Sequence, residues 1–370
     1  MEIAILTRPL RTNSGGILQA FALQTVIERM GYPVEHLQKK VIEYQPLHPK
    51  WQMPLVWINR LIRKYIGGDR NLPVFGNPYK WMRKNTDSFI NEYIHCRYLD
   101  LDEWTEALSE DYDTFIVGSD QVWRPRFSEG IEKYFLDFLK NVEVKRIAYS
   151  ASFGVDTNEY TEEQIKLVQP LVQKFEAVSV REESGIDLCE EVFGVSAIHV
   201  LDPTMLLSMN DYLSLIKEEK KSAGNLMVYV LDESPGIDSF VSYFASSRKL
   251  IPFRANSRDL NESEKYISDK QQPPVEDWLR AFRDAEFVIT DSFHACVFSI
   301  LFKKPFLCIG NDFRGMARFH SLLGQFGLMD RLVSITDLRI PDKEIDWNRV
   351  YEILEDKRAE SMDFLRRSLS

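Results

Sequence analysis

The sequence predicts an α/β protein made of two doubly wound domains with a cleft between them. Three observations predict this. Short apolar runs alternate with helical apolar stripes along most of the chain. Each apolar run ends in polar residues that a ligand could use. A polar-rich stretch at 209–224 then precedes a fresh start of the alternation at Leu226. The length of 370 residues suits two domains with sizeable cores.

Residues 2–6 read as a compact apolar strand. Ser14, Gly15 and Gly16 then lead into a helix over about 17–30, with Ala20, Leu23, Ile27 and Met30 on one stripe and Gly31 at its end. The two glycines either let a ligand approach the backbone or simply make the turn, and the loop is neither a G-x-G-x-x-G fingerprint nor a P-loop. Residues 33–37 read as the second strand. The segment 44–98 departs from the rhythm. Its stretch 51–66 is amphipathic and aromatic, with Arg60, Arg63 and Lys64 on the polar side. Such a helix either lies on a membrane surface or packs on its own domain, as a core helix or a lid. Glycine-bearing loops at 67–69 and 76–78 follow, and then a helix at about 81–93.

Regular alternation resumes with a strand at 113–117, which delivers Gly118, Ser119, Asp120, Gln121, Val122 and Trp123. Strand 146–149 delivers Ser152, and strand 177–180 delivers Arg181 and Glu182. Strand 197–201 delivers Asp202, with helices expected at 161–174 and 183–193. In a parallel sheet these ends share one edge, so Arg8, Asp120, Ser152, Arg181 and Asp202 are expected to converge. Asp202 precedes Pro203 and either joins that group or caps a turn.

In the second half, 209–224 reads as a polar linking helix and 226–231 as the first strand of a new domain. A helix at 236–247, a strand at 249–254 ending in Arg254, a charged loop at 255–272 and a helix opening at 273 follow. The run 287–301 is the feature of most interest. A short strand turns through Asp291 and Ser292 into an apolar helix. Ser292 is a good N-cap, which places His294 in a first turn where free N–H groups and the helix dipole favour an anion. The plainer reading is a strand–helix turn with a satisfied histidine. A strand at 305–309 and a basic cluster of Arg314, Arg318 and His320 come next. A charged helix at 346–368 is expected to pack back across the domain junction. The expected division is 1–208, with 44–98 as an insertion, then 209–345, then the helical tail 346–370.

Composition excludes several classes. A net charge of −10 argues against general nucleic-acid binding, which needs a basic face. Four cysteines with no CxxC pair argue against a zinc site or a disulfide framework. No signal peptide is recognised and no apolar run reaches the roughly 18 residues of a membrane span, so a cytoplasmic protein is expected, peripheral at the inner membrane face if 44–98 takes its membrane-surface alternative.

Six separated stretches resemble the polysaccharide pyruvyl transferase family. They run from Gly15-Gly16-Ile17-Leu18-Gln19-Ala20-Phe21-Ala22-Leu23-Gln24, through Gly118-Ser119-Asp120-Gln121-Val122-Trp123 and Tyr149-Ser150-Ala151-Ser152-Phe153-Gly154, to Ser179-Val180-Arg181-Glu182, Val200-Leu201-Asp202-Pro203-Thr204 and Thr290-Asp291-Ser292-Phe293-His294. They stand in the family's order. Ala295 stands where the family usually has glycine, and Ser14 where it often has an aromatic residue. The resemblance implies a GT-B-like fold, with two Rossmann-like domains facing a central cleft and the donor held by the second. It implies transfer of a carboxyethylidene (pyruvate) group from phosphoenolpyruvate to a sugar, free or lipid-linked, as a cyclic ketal. It also implies that Arg181 and His294 bind phosphoenolpyruvate.

That chemistry needs cations for a phosphate and a carboxylate, an acid to protonate the methylene carbon, and a base beside the diol. His294 is assigned phosphate contact and acid–base work, and Asp120 or Asp291 the base, although Asp291 alternatively buttresses the turn or orients His294. Arg181, Ser292, Gly15, Gly16, Gln19 and Ser152 are assigned to substrate binding. Arg254, Arg314 and Arg318 are further anion contacts. Trp123 and Gln121 either stack on and bond to the acceptor or belong to the core. No cofactor or metal is demanded. The competing readings are a GT-B glycosyltransferase with a nucleotide-sugar donor and a non-catalytic glycan-binding relative.

Overall fold

A computed structural model describes residues 1–40, 53–66, 78–128, 130–257, 271–311, 314–339 and 343–370. The first domain carries strands β1 (Ile3–Leu6), β2 (Val34–Lys39), β3 (Cys96–Leu99), β4 (Thr114–Val117), β5 (Lys145–Ala151), β6 (Ala177–Val180) and β7 (Ile198–His199). They form one parallel sheet in the order β3-β2-β1-β4-β5-β6-β7. The helices before the second domain are α1 (Ser14–Arg29), α2 (Met53–Tyr65), α3 (Pro78–Met82), α4 (Lys84–Tyr93), α5 (Glu162–Val172), α6 (Ser184–Leu188) and α7 (Met209–Leu213).

The second domain carries β8 (Leu226–Tyr229), β9 (Pro252–Arg254), β10 (Phe287–Thr290), β11 (Phe306–Ile309) and β12 (Leu332–Val333). These strands also run parallel, in the order β12-β11-β10-β8-β9. Its helices are α8 (Pro235–Arg248), α9 (Val275–Asp284), α10 (Phe293–Leu301) and α11 (Ala317–Gln325), and α12 (Trp347–Leu369) closes the chain. The winding direction reverses between β1 and β4 in one sheet and between β8 and β10 in the other. In such sheets ligands collect outside the carboxyl ends of the strands at that reversal.

Local chemistry sets the element ends that matter. The Asn13 side chain accepts a hydrogen bond from the Gly16 N–H (3.2 Å) and so caps α1. Gly31, at φ +94°, lets the chain leave α1 in a conformation few other residues adopt. Apolar packing then fixes how the domains sit. One continuous cluster runs from Ile5 and Leu23 of the first domain, through Met205 and Tyr212, to Val288 and Phe298 of the second. Two smaller clusters fill the outer faces, around Trp123 and Phe193 in one domain and around Phe244 and Ile289 in the other. Helix α12 touches both domains. Its Tyr351 hydroxyl donates to the Leu301 carbonyl, while Arg358 donates to the carbonyls of Met205 (2.8 Å) and Leu207 (3.2 Å).

Two expectations need correction, and one open alternative narrows. The stretch 209–224 is not one long helix: α7 spans Met209–Leu213 only, started by a capping box between Ser208 and Asp211. The segment 44–98 is not wholly an insertion, because it ends in β3, which pairs with β2 and forms the sheet edge. Mixed polar and apolar residues in β3 hid it from the sequence reading. Helix α2 does not bury its apolar stripe: Leu55, Ile58, Ile62, Tyr65 and Ile66 are at least half exposed (65, 51, 50, 75 and 82%). The glycine-bearing loops at 67–69 and 76–77 and most of the charged loop 255–272 lie outside the described residues.

Candidate functional site

Between the two sheets lies a cleft of about 270 Å³, lined by strand-end residues of both domains. Arg8 and Asn13 reach it from beyond β1, and Asp120 and Gln121 from beyond β4. From the second domain come Asp291, Ser292, Phe293 and His294 after β10, and Arg314 and Arg318 after β11. The two winding reversals therefore face each other across it.

The turn after β4 is tightly held. Gly118, at φ +135°, has the Tyr149 carbonyl where a Cβ would sit, so only glycine fits. Asp120 follows at φ +72°, a conformation aspartate tolerates better than most residues. Gln19 donates to the Thr7 hydroxyl (2.9 Å), which donates to the Ser119 carbonyl (3.0 Å). The Ser119 N–H in turn donates to the Gln19 side-chain oxygen (3.2 Å). Gln19 thus serves the turn and not a substrate, and its amide is fully engaged inside the protein.

Below the cleft floor sits a buried charge network. Arg181 is 3% exposed and donates to Asp202 (2.9 Å). It also lies 3.7 Å from both Asp120 and Glu182. Asp202 uses one oxygen to cap its own turn, accepting from the Thr204 N–H (3.0 Å) and hydroxyl (2.7 Å). Its other oxygen takes Arg181 and the Ser119 hydroxyl (3.3 Å), and lies 3.6 Å from His294 Nε2. That last distance is too long for a hydrogen bond. Burial opposes ionisation of Asp202, yet the nearness of His294 and Arg181 holds its carboxyl well below the usual carboxylate range. Both sequence readings of Asp202 therefore hold together, as turn cap and as charged partner.

His294 occupies the first turn of α10 and is 5% exposed. A Cβ on Gly15 would come within 2.5 Å of the His294 Cβ and Cγ. Gly15 is thus small to admit the histidine of the other domain, and the glycine pair does not bring a ligand to the backbone. Gly16 packs on the side chain of its own cap, Asn13.

Several nitrogens of this network have no hydrogen-bond partner among the described residues. They are Arg181 Nε and Nη2, His294 Nε2 and Arg318 Nε, all buried. The Phe293 ring stands between two of the cations, 4.5 Å from the Arg181 guanidinium and 5.7 Å from that of Arg318. Arg318 donates to the Arg314 carbonyl (2.8 Å). Burial and the neighbouring Arg181 push its pKa down to about 10. Asp120 is disfavoured as an anion by burial, but Arg181, His294 and Arg8 outweigh that and lower its pKa. The cleft thus sets an ionised carboxylate among cations whose donors are only partly used. Buried donors of this kind cost free energy unless something accepts from them, so the arrangement suits a small multivalent anion.

The remaining assigned residues divide clearly. Arg314 lines the cleft and is paired with Asp232 (2.6 and 2.9 Å). Asp291 lines it too, but accepts from the N–H groups of Leu231 (2.8 Å) and Asp232 (2.9 Å), tying β10 to β8; burial raises its pKa. Asp291 thus buttresses the turn, and the carboxylate beside His294 is Asp202, from the other domain. Ser292 does not cap α10 with its hydroxyl; its N–H donates to Thr290 Oγ1 (3.0 Å) instead. Arg181 is not a wall of the cleft, because Phe293 covers it. Ser152 is fully buried and donates to Glu182. Trp123 is a core residue, stacked on Phe135 at 5.2 Å. Gln121 stays at the cleft and accepts from Arg124 (3.1 Å). Arg254 sits on edge strand β9, paired with Glu233 (2.7 Å) and Asp238 (3.1 Å), outside the cleft lining.

The sequence model of the polysaccharide pyruvyl transferase family matches residues 13–313, most of the chain and all the named cleft residues except Arg8, Arg314 and Arg318. The chain belongs to the polysaccharide pyruvyl transferase family. Its fold is GT-B-like, two Rossmann-like domains with a cleft between them. Among solved structures it is similar to a UDP-GlcNAc 2-epimerase of Neisseria meningitidis bound to UDP-GlcNAc. That likeness has a TM-score of 0.54 at 10% identity, covering 100% of this chain and 99% of that one. A UDP-GlcNAc 2-epimerase of Methanocaldococcus jannaschii (TM-score 0.49, 10% identity, 96% and 92% covered) is also similar. So is the Streptomyces glycosyltransferase SsfS6 (TM-score 0.44, 11% identity, 100% of each chain covered). No curated protein matches the sequence. At 10% identity the first of these likenesses speaks for the fold alone. The family points to a sugar or polysaccharide acceptor. Among the described residues no helix is long and apolar enough to cross a membrane.

Proposed function

We propose that this member of the family transfers a carboxyethylidene group from phosphoenolpyruvate to two hydroxyls of a sugar, closing a cyclic ketal. The observation that carries the reading is the pair of buried, partly unsatisfied side chains His294 and Arg318 in the wall of a cleft of about 270 Å³. That space suits a three-carbon acid with a phosphate, and is small beside the 300–1,000 Å³ typical of larger ligands. Arg318, Arg314, Arg8 and the first turn of α10 supply positive charge for the phosphate and carboxylate. In the reaction the methylene carbon takes a proton, and the adjacent carbon becomes electrophilic. One hydroxyl adds there and gives up its proton. The carbon–oxygen bond to phosphate breaks, and the second hydroxyl closes the ring with loss of its own proton. In this reading His294, on the cleft wall, contacts the phosphate and moves a proton, with Asp202 beside it at 3.6 Å. Asp120 stays ionised, so it supports positive charge developing at the electrophilic carbon and accepts a hydroxyl proton. Arg181 acts at one remove, by fixing Asp202.

The test is incubation with phosphoenolpyruvate and a panel of galactosides, glucosides and mannosamine derivatives, followed by phosphate assay and mass spectrometry. The expected product carries one carboxyethylidene unit. Turnover with UDP-sugars in place of phosphoenolpyruvate would support the nucleotide-sugar reading instead. Full activity in His294→Ala would overturn the site assignment.

The same reading includes contact with an anionic membrane surface through α2. Its exposed stripe of Leu55, Ile58, Ile62 and Tyr65 follows helical spacing, and Arg63 and Lys64 stand beside it with no acidic residue in the helix. Such contact would bring the cleft to a lipid-linked acceptor.

A further inference from the structure

A second cleft, of about 690 Å³, adjoins the first and shares two of its walls, Arg8 and Phe127. It lies over the carboxyl ends of β1 and β2 and the segment after β3, so it runs from the winding reversal toward the sheet edge. Its volume falls in the range of ordinary ligand sites. Its charge is unlike that of the whole chain. Among its described lining residues, Arg8, Arg11, Lys39 and Lys133 stand against two carboxylates, Glu132 and Asp137, in a protein of net charge −10. Among the described residues, Arg8, Arg11 and Lys39 have no carboxylate within ion-pair distance. Of the lining aromatic residues Trp104, Phe127 and Tyr134, the first two are already covered by cations. Lys133 Nζ stands 4.0 Å over the Trp104 ring, and the Arg124 guanidinium 4.5 Å over Phe127. The cleft therefore offers positive charge more than bare rings for stacking. Burial, and then the nearby Lys39, lower the pKa of Lys133, with Asp137 and Glu132 opposing the shift.

We propose that this second cleft is the acceptor subsite and that it selects a sugar unit carrying a negative charge, a phosphate or a carboxylate. The proposal rests on the phosphoenolpyruvate reading for its neighbour, since the shared wall sets an acceptor hydroxyl beside the donor carbon. The anion is held by Arg11, Lys39 and Lys133, and the reacting hydroxyls face Arg8 and Phe127.

The experiment measures binding calorimetrically at low salt, with and without saturating phosphoenolpyruvate. The probes are the 1-phosphates of galactose, glucose and N-acetylmannosamine, the matching methyl glycosides, and galacturonate and glucuronate. The expected result is at least one charged probe binding about tenfold or more tighter than its neutral partner, the scale of one charge-assisted contact. That preference should weaken as salt rises. It should vanish in Arg11→Glu/Lys39→Glu, whose positions are exposed, while phosphoenolpyruvate still binds. Preference for the 1-phosphates would identify a phosphate-linked acceptor, and preference for the uronates an acidic sugar. Equal affinities, no binding by any charged probe, or an unchanged preference in the double variant would overturn the proposal. Failure of phosphoenolpyruvate itself to bind would overturn the donor reading separately, because the charge preference is read without it as well.

Discussion

Replacing Asp202 with asparagine tests the buried network directly. The carboxylate is fully buried and makes the shortest ion pair of Arg181, at 2.9 Å. At an effective dielectric of about 20, that pair has a gross attraction of roughly 6 kcal/mol. Asparagine keeps a hydrogen-bond acceptor, and Asp120 and Glu182 remain 3.7 Å from Arg181, so part of this is retained. Breaking a buried pair from one side costs about 3–5 kcal/mol, and the low end applies here. A loss of about 3 kcal/mol corresponds to a melting point roughly 6 °C lower, at ~2 °C per kcal/mol for a large chain. Urea denaturation followed by tryptophan fluorescence would measure it. Arg181→Met and the double variant complete a cycle, and the two substitutions should be non-additive by more than ~1 kcal/mol. An Asp202→Asn protein within ~0.5 kcal/mol of the parent, or strict additivity, would refute the network as described.

Further outcomes are expected elsewhere. Gly15→Ala forces a Cβ against His294 and should cost about 1–3 kcal/mol and weaken phosphoenolpyruvate binding, measured by denaturation and calorimetry; an unchanged affinity would mean that the histidine does not touch the ligand. His36 is fully buried and its pKa is lowered to about 4, chiefly by burial. The unfolded chain takes up this proton first, near pH 6.5, so the contribution of neutral His36 is complete above that pH and is lost as pH falls toward 4. The loss reaches at most ~3 kcal/mol, and His36→Gln should flatten the pH dependence of stability in that window. Co-sedimentation with vesicles containing phosphatidylserine should retain the parent protein and release Leu55→Glu/Ile62→Glu; binding that survives this change, or self-association relieved by it, would remove the membrane role of α2.

Much of the fold was legible because parallel strands buried on both faces leave uninterrupted apolar runs, as at 114–117 and 306–309. β3 escaped because an edge strand with Arg97 and Tyr98 has no such run. The site was legible only as a list of strand ends. Nothing in the spacing of Asp202 and His294 says that they meet, since the contact crosses domains and depends on Gly15 being small. Trp123 and Ser152 stood at strand ends as well, but the chain turns them inward, where they pack and bond within the first domain. Position along a strand locates a residue at the cleft edge; which way its side chain points depends on the turn that follows.

The most direct test of the account is calorimetric titration of phosphoenolpyruvate, set beside UDP-GlcNAc, on the parent protein and on Arg318→Ala. The account predicts that phosphoenolpyruvate binds the parent and UDP-GlcNAc does not. It also predicts that removing the buried Arg318 guanidinium weakens phosphoenolpyruvate about tenfold or more. Binding of UDP-GlcNAc alone, or phosphoenolpyruvate affinity indifferent to Arg318, would contradict it.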